Sequence, residues 1–190
     1  MNQPSVSVIV AAYNAEKYLE RCLDSIRSQL FESFEVIIVD DGSSDKTLEI
    51  ARLFCYRDSR FIVIHTENRG VASARQTGLA MANGEYTIHI DSDDFIDPEM
   101  LSEMYELAKQ DNADMVICDY SVILSSGTEY IKTQKPKNLD HRTVWGQTIH
   151  ELQGSLCNRI IRRACFEKYG IRHNPSMRVC EDQYILLQLL

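Results

Sequence analysis

Apolar runs of strand length alternate along this chain with stretches whose apolar positions recur every three or four residues. The run SVSVIVAAY at 5–13 predicts a buried strand, and AEKYLERCLDSIRSQ after it puts Tyr18, Leu19, Cys22, Leu23 and Ile26 on one helical stripe. FEVIIVD at 34–40 is a second buried strand, DGSSDKT a turn and helix start, and LEIARLFCYR the helix that follows. FIVIH predicts a third strand, GVASARQTGLAMANG a helix closed by Asn83-Gly84, and EYTIHID a fourth strand. Asp97-Pro98-Glu99 supplies an N-cap, a proline at the first helical position and an early acid, opening a helix through Lys109. ADMVICDYSVIL at 113–124 completes the series as a fifth strand. Repeated alternation of this kind predicts an α/β fold, a mostly parallel sheet with helices on both faces.

Beyond Leu124 the pattern changes. SSG between SVIL and TEYIKT predicts a hairpin turn, QKPKNLDHRT is a polar loop, and Val144 to Arg163 reads as helical in part. Residues 1–124 thus form the α/β core, and 125–190 an extension of the same domain. The final EDQYILLQLL has helix-forming character but stops on Leu189 and Leu190 with no glycine, asparagine or proline to end it. That ending predicts a natural chain that continues past residue 190, with the extension incomplete at its C-terminus.

Composition narrows the classes. With 190 residues, 44% hydrophobic and 25% charged, the chain is globular and of one-domain size. A net charge of -8 argues against a broad electrostatic grip on nucleic acid, which needs lysine and arginine gathered on one face. No apolar run reaches the ~18 residues of a membrane span. Met1 to Val10 lacks the basic start and apolar stretch of a signal peptide, so a cytoplasmic protein is expected. The six cysteines are scattered without a CxxC pair and read as small buried apolar residues.

In open parallel sheets, ligands bind outside the carboxyl ends of the strands. Here those ends carry Tyr13-Asn14, Asp40-Asp41-Gly42-Ser43 and Asp91-Ser92-Asp93-Asp94. Tyr13 suits stacking on a planar base, or is a half-buried aromatic with its hydroxyl in water. Asp40 and Asp41 suit hydrogen bonds from a base N–H and ribose hydroxyls, or an Asx-turn feeding the next helix; which of the two would bind and which cap stays open at this level. The Asp91/Asp93 pair suits a hard divalent cation, Mn²⁺ or Mg²⁺, that leaves other positions to water and phosphate; the plainer reading is an acidic turn. Arg69 and Arg75 could meet phosphates or fold over the base, or lie on a helix surface. Glu181-Asp182 opens a helix, where capping competes with a general-base role.

Taken together, VSVIVAAYNAEKYLERCLDSIRSQ, FEVIIVDDGSSDKT, ENRGVASARQTGLAMANGEYTIHIDSDD and, later, LCNRIIRRACFEKYGIR with CEDQY resemble the family-2 glycosyltransferases of bacterial polysaccharide type. Members have the GT-A fold and use nucleotide-diphospho-sugars. The resemblance implies a nucleotide-sugar-binding core at 1–124 and an acceptor-side extension at 125–190. Tyr13 and Asp41, with Asp40 nearby, would line the nucleotide pocket with Arg75 beside the donor. Asp91 and Asp93 would form the DXD motif, Asp93 as direct metal ligand and Asp91 towards ribose or the donor sugar, leaving Asp94 to the turn. Asp182 would be the base, with Glu181 the fallback. It further implies inverting transfer to a saccharide or lipid-linked acceptor, in surface polysaccharide or glycoconjugate synthesis, with peripheral contact at the inner face of the membrane through a C-terminal part. Cys157-Asn158-Arg159 departs from the aromatic and lysine that relatives often carry around that asparagine.

Two rivals use the same residues differently. A non-catalytic nucleotide-sugar-binding module would keep the donor pocket without transfer. A phosphatase of the haloacid-dehalogenase type also ends a strand in DxD, but on its first strand rather than the fourth. No GxGxxG follows the first strand, which disfavours a nicotinamide enzyme.

Overall fold

The computed structural model describes residues 3–152, 154–177 and 179–190. Its elements, in chain order, are β1 (Val6–Ala12), α1 (Leu19–Arg27), β2 (Phe34–Asp40), α2 (Thr47–Arg57), β3 (Phe61–His65), α3 (Val71–Met81), β4 (Tyr86–His89) and α4 (Met100–Gln110). Then come β5 (Met115–Ile117), β6 (Tyr120–Ile123), β7 (Glu129–Lys132), α5 (His141–His150), β8 (Arg159–Arg162), α6 (Arg163–Lys168) and α7 (Glu181–Leu189).

Six strands form one sheet in the order β3-β2-β1-β4-β8-β5. Strands β1 to β4 run parallel, and β8 lies antiparallel between β4 and β5. The central strands read as unbroken apolar runs because both faces are covered. Val6, Val8, Val10, Val36 and Ile38 pack with Leu19, Leu23 and Ile26 of α1, Phe54 of α2, and Leu101 and Met104 of α4. On the opposite face Ile9 joins Leu79 of α3, Phe166 of α6, and Ile185 and Leu186 of α7, while Ile37 and Val39 meet Ala74. The expected mostly parallel sheet with two helical layers is therefore present.

Two local expectations need correction, and a third, that 144–163 is helical in part, gains detail. The predicted strand at 113–124 is two strands: β5 stays in the sheet, while β6 leaves it to pair with β7. The break falls at Cys118-Asp119, where the Asp119 carboxylate accepts the Gln134 amide at 2.6 Å and draws the chain into the hairpin. In the segment 144–163, α5 is the helical part, but Arg159–Arg162 is a sheet strand, and Gln153 lies outside the described residues. Arginines at both ends of RIIR hide its strand character. Arg162 lies 4.9 Å over the Tyr86 ring and pairs with Glu85 and Asp114, so the neighbouring strands supply what helix periodicity could not announce. Finally, α4 starts at Met100 rather than at Pro98. Asp97 contributes its carbonyl oxygen to the Met100 amide, and no side chain caps the helix.

The strand order reverses between β1 and β4. Loops leaving adjacent carboxyl ends diverge at such a point and open a crevice. Tyr13-Asn14 after β1 and Asp91 to Asp94 after β4 flank it, with Asp40-Asp41 one strand further out.

Candidate functional site

The loop after β1 is locked to the loop after β2. Asn14 takes a left-handed backbone, φ 48°, and its side-chain oxygen accepts the Ser44 amide at 2.9 Å while its own amide donates to Ser43 Oγ at 3.0 Å. Ala15 N–H donates to Thr47 Oγ1 at 2.7 Å. This lacing leaves the Tyr13 ring 53% exposed at the rim, available for stacking.

Asp40 and Asp41 lie deeper than the sequence suggests. Asp40 is fully buried; its carboxylate meets His65 Nδ1 at 2.6 Å and accepts the Ser43 amide at 3.4 Å. Asp41, also buried, accepts the Arg69 and Gly70 amides at 2.9 and 2.7 Å, ahead of α3. Both carboxylates thus brace loops of the crevice wall, Asp41 at a helix start where two N–H groups otherwise lack partners. Gly42 between these loops is required: φ is +73°, and an added Cβ would stand 2.7 Å from the Asn68 nitrogen.

The acid loop after β4 joins the C-terminal helix through Arg75. This arginine sits on α3, is buried, and donates from Nη2 to Asp91 Oδ1 at 2.6 Å and from Nη1 to Glu181 Oε1 at 3.0 Å and to Asp182 Oδ1. Burial alone would disfavour its charge, but Asp182, Asp91 and Glu181 around it raise its pKa. The guanidinium is turned inward, so the residue expected near phosphate acts in this structure as the hub of three acids. Asp182 is fixed further by Ser155 Oγ and the Leu156 amide, each at 3.1 Å from Oδ2. Burial pushes its pKa up, opposed by Arg75 and the Leu156 amide and assisted by Asp91 and Glu181. Cys180 precedes the acid pair with φ 56°, a left-handed bend that turns the chain into α7.

Asp93 is exposed, and its carbonyl oxygen is engaged by Arg21 Nη2 at 2.9 Å, which leaves the carboxylate facing solvent. Asp94 folds back instead: its amide donates to the Asp91 carbonyl at 3.0 Å. Ligand atoms of Asp91, Asp94 and Cys157 consequently lie within 4.8 Å of one another. Burial, then Asp91 and Asp93, push the Asp94 pKa up, and burial first among several causes pushes the Cys157 thiol up to about 11. Sequence reasoning sets Asp94 aside as a turn residue and reads Cys157 as packing. The i to i+3 turn that returns Asp94 to Asp91 is the available signal; Cys157 has none, because its approach depends on β8 entering the sheet.

Thus Asp91, Glu181 and Asp182 meet at Arg75, Asp93 lies exposed on the same loop as Asp91, Tyr13 is exposed after β1, and Asp40 and Asp41 are buried after β2. A mostly parallel Rossmann-like sheet with acids at its carboxyl edge is the arrangement of a GT-A fold. The chain belongs to glycosyltransferase family 2, whose model, described as glycosyl transferase family 2, matches residues 7–170. It is 45% identical over 196 aligned residues to EpsH of Bacillus subtilis (strain 168), covering 97% of this chain and 55% of EpsH. It is 35% identical over 198 residues to the cholesterol galactosyltransferase of Borreliella burgdorferi, covering 97% and 54%. Among solved structures, Staphylococcus aureus TarS 1-349 in complex with UDP-GlcNAc superposes with a TM-score of 0.82 at 27% identity, covering 97% of this chain and 53% of TarS. The chain therefore spans about half the length of the curated relatives it matches. No helix among the described residues is long and apolar enough to cross a membrane.

Proposed function

We propose that this chain forms the donor-binding and catalytic half of a glycosyltransferase that moves a sugar from a nucleotide-diphospho-sugar to an acceptor hydroxyl with inversion. The observation that carries the reading is the Arg75 hub, which ties Asp182 to the acid loop at the mouth of β4. One bound donor can then be served by both.

Residues 1–124 hold the donor and 125–190 face the acceptor. Tyr13 offers an exposed face to the base. Asp40 and Asp41 brace the pocket wall, and Asp91 faces the ribose or the donor sugar while holding Arg75. The exposed oxygens of Asp93, with Asp91 close by, are hard donors that fit Mn²⁺ or Mg²⁺. Such a cation, when bound, stabilises the negative charge of the departing diphosphate.

Asp182 takes the proton of the acceptor hydroxyl, and Glu181 stands next to it as the alternative base. The freed oxygen attacks the anomeric carbon from the face opposite the diphosphate. As the new C–O bond forms, the bond to the phosphate oxygen breaks, and its electron pair leaves with the nucleoside diphosphate. Ser155 and the Leu156 amide keep Asp182 oriented for that transfer, so alignment and fixed dipoles supply the acceleration. The TarS complex with UDP-GlcNAc supports a UDP-sugar as the first donor to examine. The acceptor that goes with this reading is a saccharide or lipid-linked one at the inner face of the membrane, in surface polysaccharide or glycoconjugate synthesis.

The test is thermal stabilisation of the full-length protein by UDP-, GDP- and dTDP-sugars with and without Mn²⁺. A metal-dependent rise in Tm with one donor class, followed by transfer or donor hydrolysis, is the expected result. A Tm indifferent to every donor and to Mn²⁺ would sink the proposal, and binding without any turnover would leave a non-catalytic module.

A further inference from the structure

One side of α1 and the turn after it grips the acid loop along its whole length. Arg21 Nη2 donates to the Asp93 carbonyl oxygen at 2.9 Å, and its guanidinium lies 4.6 Å over the Phe95 ring. The buried Cys22 thiol reaches the Asp91 carbonyl oxygen at 3.5 Å. Ser25 Oγ accepts the Ile96 amide at 3.1 Å. Gln29 donates to the Asp97 carbonyl at 2.6 Å and accepts the Leu101 amide at 3.0 Å. Positions 21, 22 and 25 fall on one side of α1, and Gln29 in the turn after it extends the line, so one continuous segment reads the loop in order.

Each of these contacts goes to loop main chain or to the Phe95 ring, and none goes to a carboxylate. That choice matters in a loop with three acids. Carboxylates that repel one another cannot organise the loop, and tying them to side chains would remove them from a ligand. Arg21 could have formed an ion pair with Asp93 or Asp94; its planar fork is engaged by a carbonyl oxygen and a ring instead.

We propose that Arg21 is a positioning residue that presets Asp93 for a divalent cation and the diphosphate it accompanies, acting through the Asp93 carbonyl and the Phe95 ring. The proposal rests on the reading of this loop as the donor site. A positioning role and a purely electrostatic role predict opposite signs. As a nearby positive charge, Arg21 would repel a cation, and its removal would tighten metal binding. As a support for the ligands, its removal loosens binding, in the range seen when groups behind metal ligands are lost, on the order of tenfold.

Two measurements on the full-length protein separate the outcomes. Amide hydrogen exchange without metal is compared between the parent, Arg21→Ala and Arg27→Ala, the last removing the same charge from the same helix away from the loop. Faster exchange confined to the loop around 92–96 in Arg21→Ala alone is expected; equal exchange in all three would overturn the proposal. Calorimetry of Mn²⁺ alone then follows, because only the bare cation gives the two roles opposite signs, with UDP added in a second titration. Affinity about tenfold weaker in Arg21→Ala, unchanged in Arg27→Ala and partly regained in Arg21→Lys, is expected. Affinity equal to or tighter than the parent's in Arg21→Ala would also overturn it. Should the parent bind no nucleoside diphosphate with Mn²⁺ at all, the donor-site reading fails, while the exchange result still decides whether Arg21 holds the loop.

Discussion

Arg75 and Asp182 are paired across 107 positions of sequence, one on α3 and the other in the first turn of α7. The pair fastens the C-terminal helix to the crevice, because the same guanidinium holds Asp91 after β4. Removing Arg75 would leave the largely buried Glu181 and Asp182 facing each other and the part-exposed Asp91 with no cation between them. Breaking a buried pair from one side costs about 3 kcal/mol or more. Arg75→Leu is therefore expected to lower the urea midpoint markedly, with α7 losing protection first in hydrogen exchange. Arg75→Lys should recover part of the loss, since one ammonium cannot span all three acids. A midpoint unchanged in Arg75→Leu would show that the hub contributes nothing to holding α7.

Asp182 makes a pH prediction. Burial raises its pKa above the ordinary carboxylate value, against the pull of Arg75 and the Leu156 amide. A general base must be ionised, so kcat/KM should fall as pH drops through that raised value and stay level above it. For stability the sign is the reverse. A raised folded pKa means the fold binds this proton more tightly than the open chain does. That contribution is present below the open-chain value and is lost as pH rises through the folded one. Asp182→Asn should retain donor binding by calorimetry and lose transfer. If transfer survives with its acid limb intact, Glu181 is the base.

The parallel strands were legible because burial on both faces leaves uninterrupted apolar runs, as in Val8 to Ala12 and Val36 to Val39. The carboxyl-edge acids were legible because they end those runs. What hid was tertiary in origin. Arg159–Arg162 becomes a strand because Arg162 finds Glu85, Asp114 and the Tyr86 ring, none of them nearby in sequence. Asp40 and Asp41 suited either ligand binding or a turn before the next helix, and their partners, His65 and the amides of Arg69 and Gly70, lie at the end of β3 and on the loop after it, out of reach of local sequence. Arg75 was singled out, but its inward turn depends on where α7 packs.

Gly42 offers a stability test that needs no ligand present. Its left-handed backbone, and the Asn68 nitrogen 2.7 Å from where a methyl group would stand, leave no room for a side chain. Gly42→Ala should cost on the order of 1–3 kcal/mol by chemical denaturation. The change should also loosen the loop that Asp41 braces and weaken nucleotide binding in parallel. Full stability in Gly42→Ala would mean that the loop relaxes without penalty, and that its fixed shape is not what the wall supplies.

The three acids after β4 should separate under substitution. Asp93 points an exposed carboxylate outward from an anchored backbone, whereas Asp91 is held by Arg75 and Asp94 folds back towards Asp91 and Cys157. Asp93→Asn keeps the shape and removes the charge, so metal-dependent binding of a nucleoside diphosphate should vanish while the unfolding free energy stays within about 0.5 kcal/mol, as for an exposed position. Asp91→Asn should weaken binding and also destabilise the fold, because it deprives a buried arginine of a partner. Asp94→Asn relieves repulsion from Asp91 and Asp93, so it should leave stability equal or higher and reduce binding less than Asp93→Asn. Calorimetry of UDP with and without Mn²⁺, run beside urea unfolding on the same variants, checks all three. An Asp93→Asn protein that still binds UDP more tightly with Mn²⁺ would move the metal to the Asp91, Asp94 and Cys157 side of the loop.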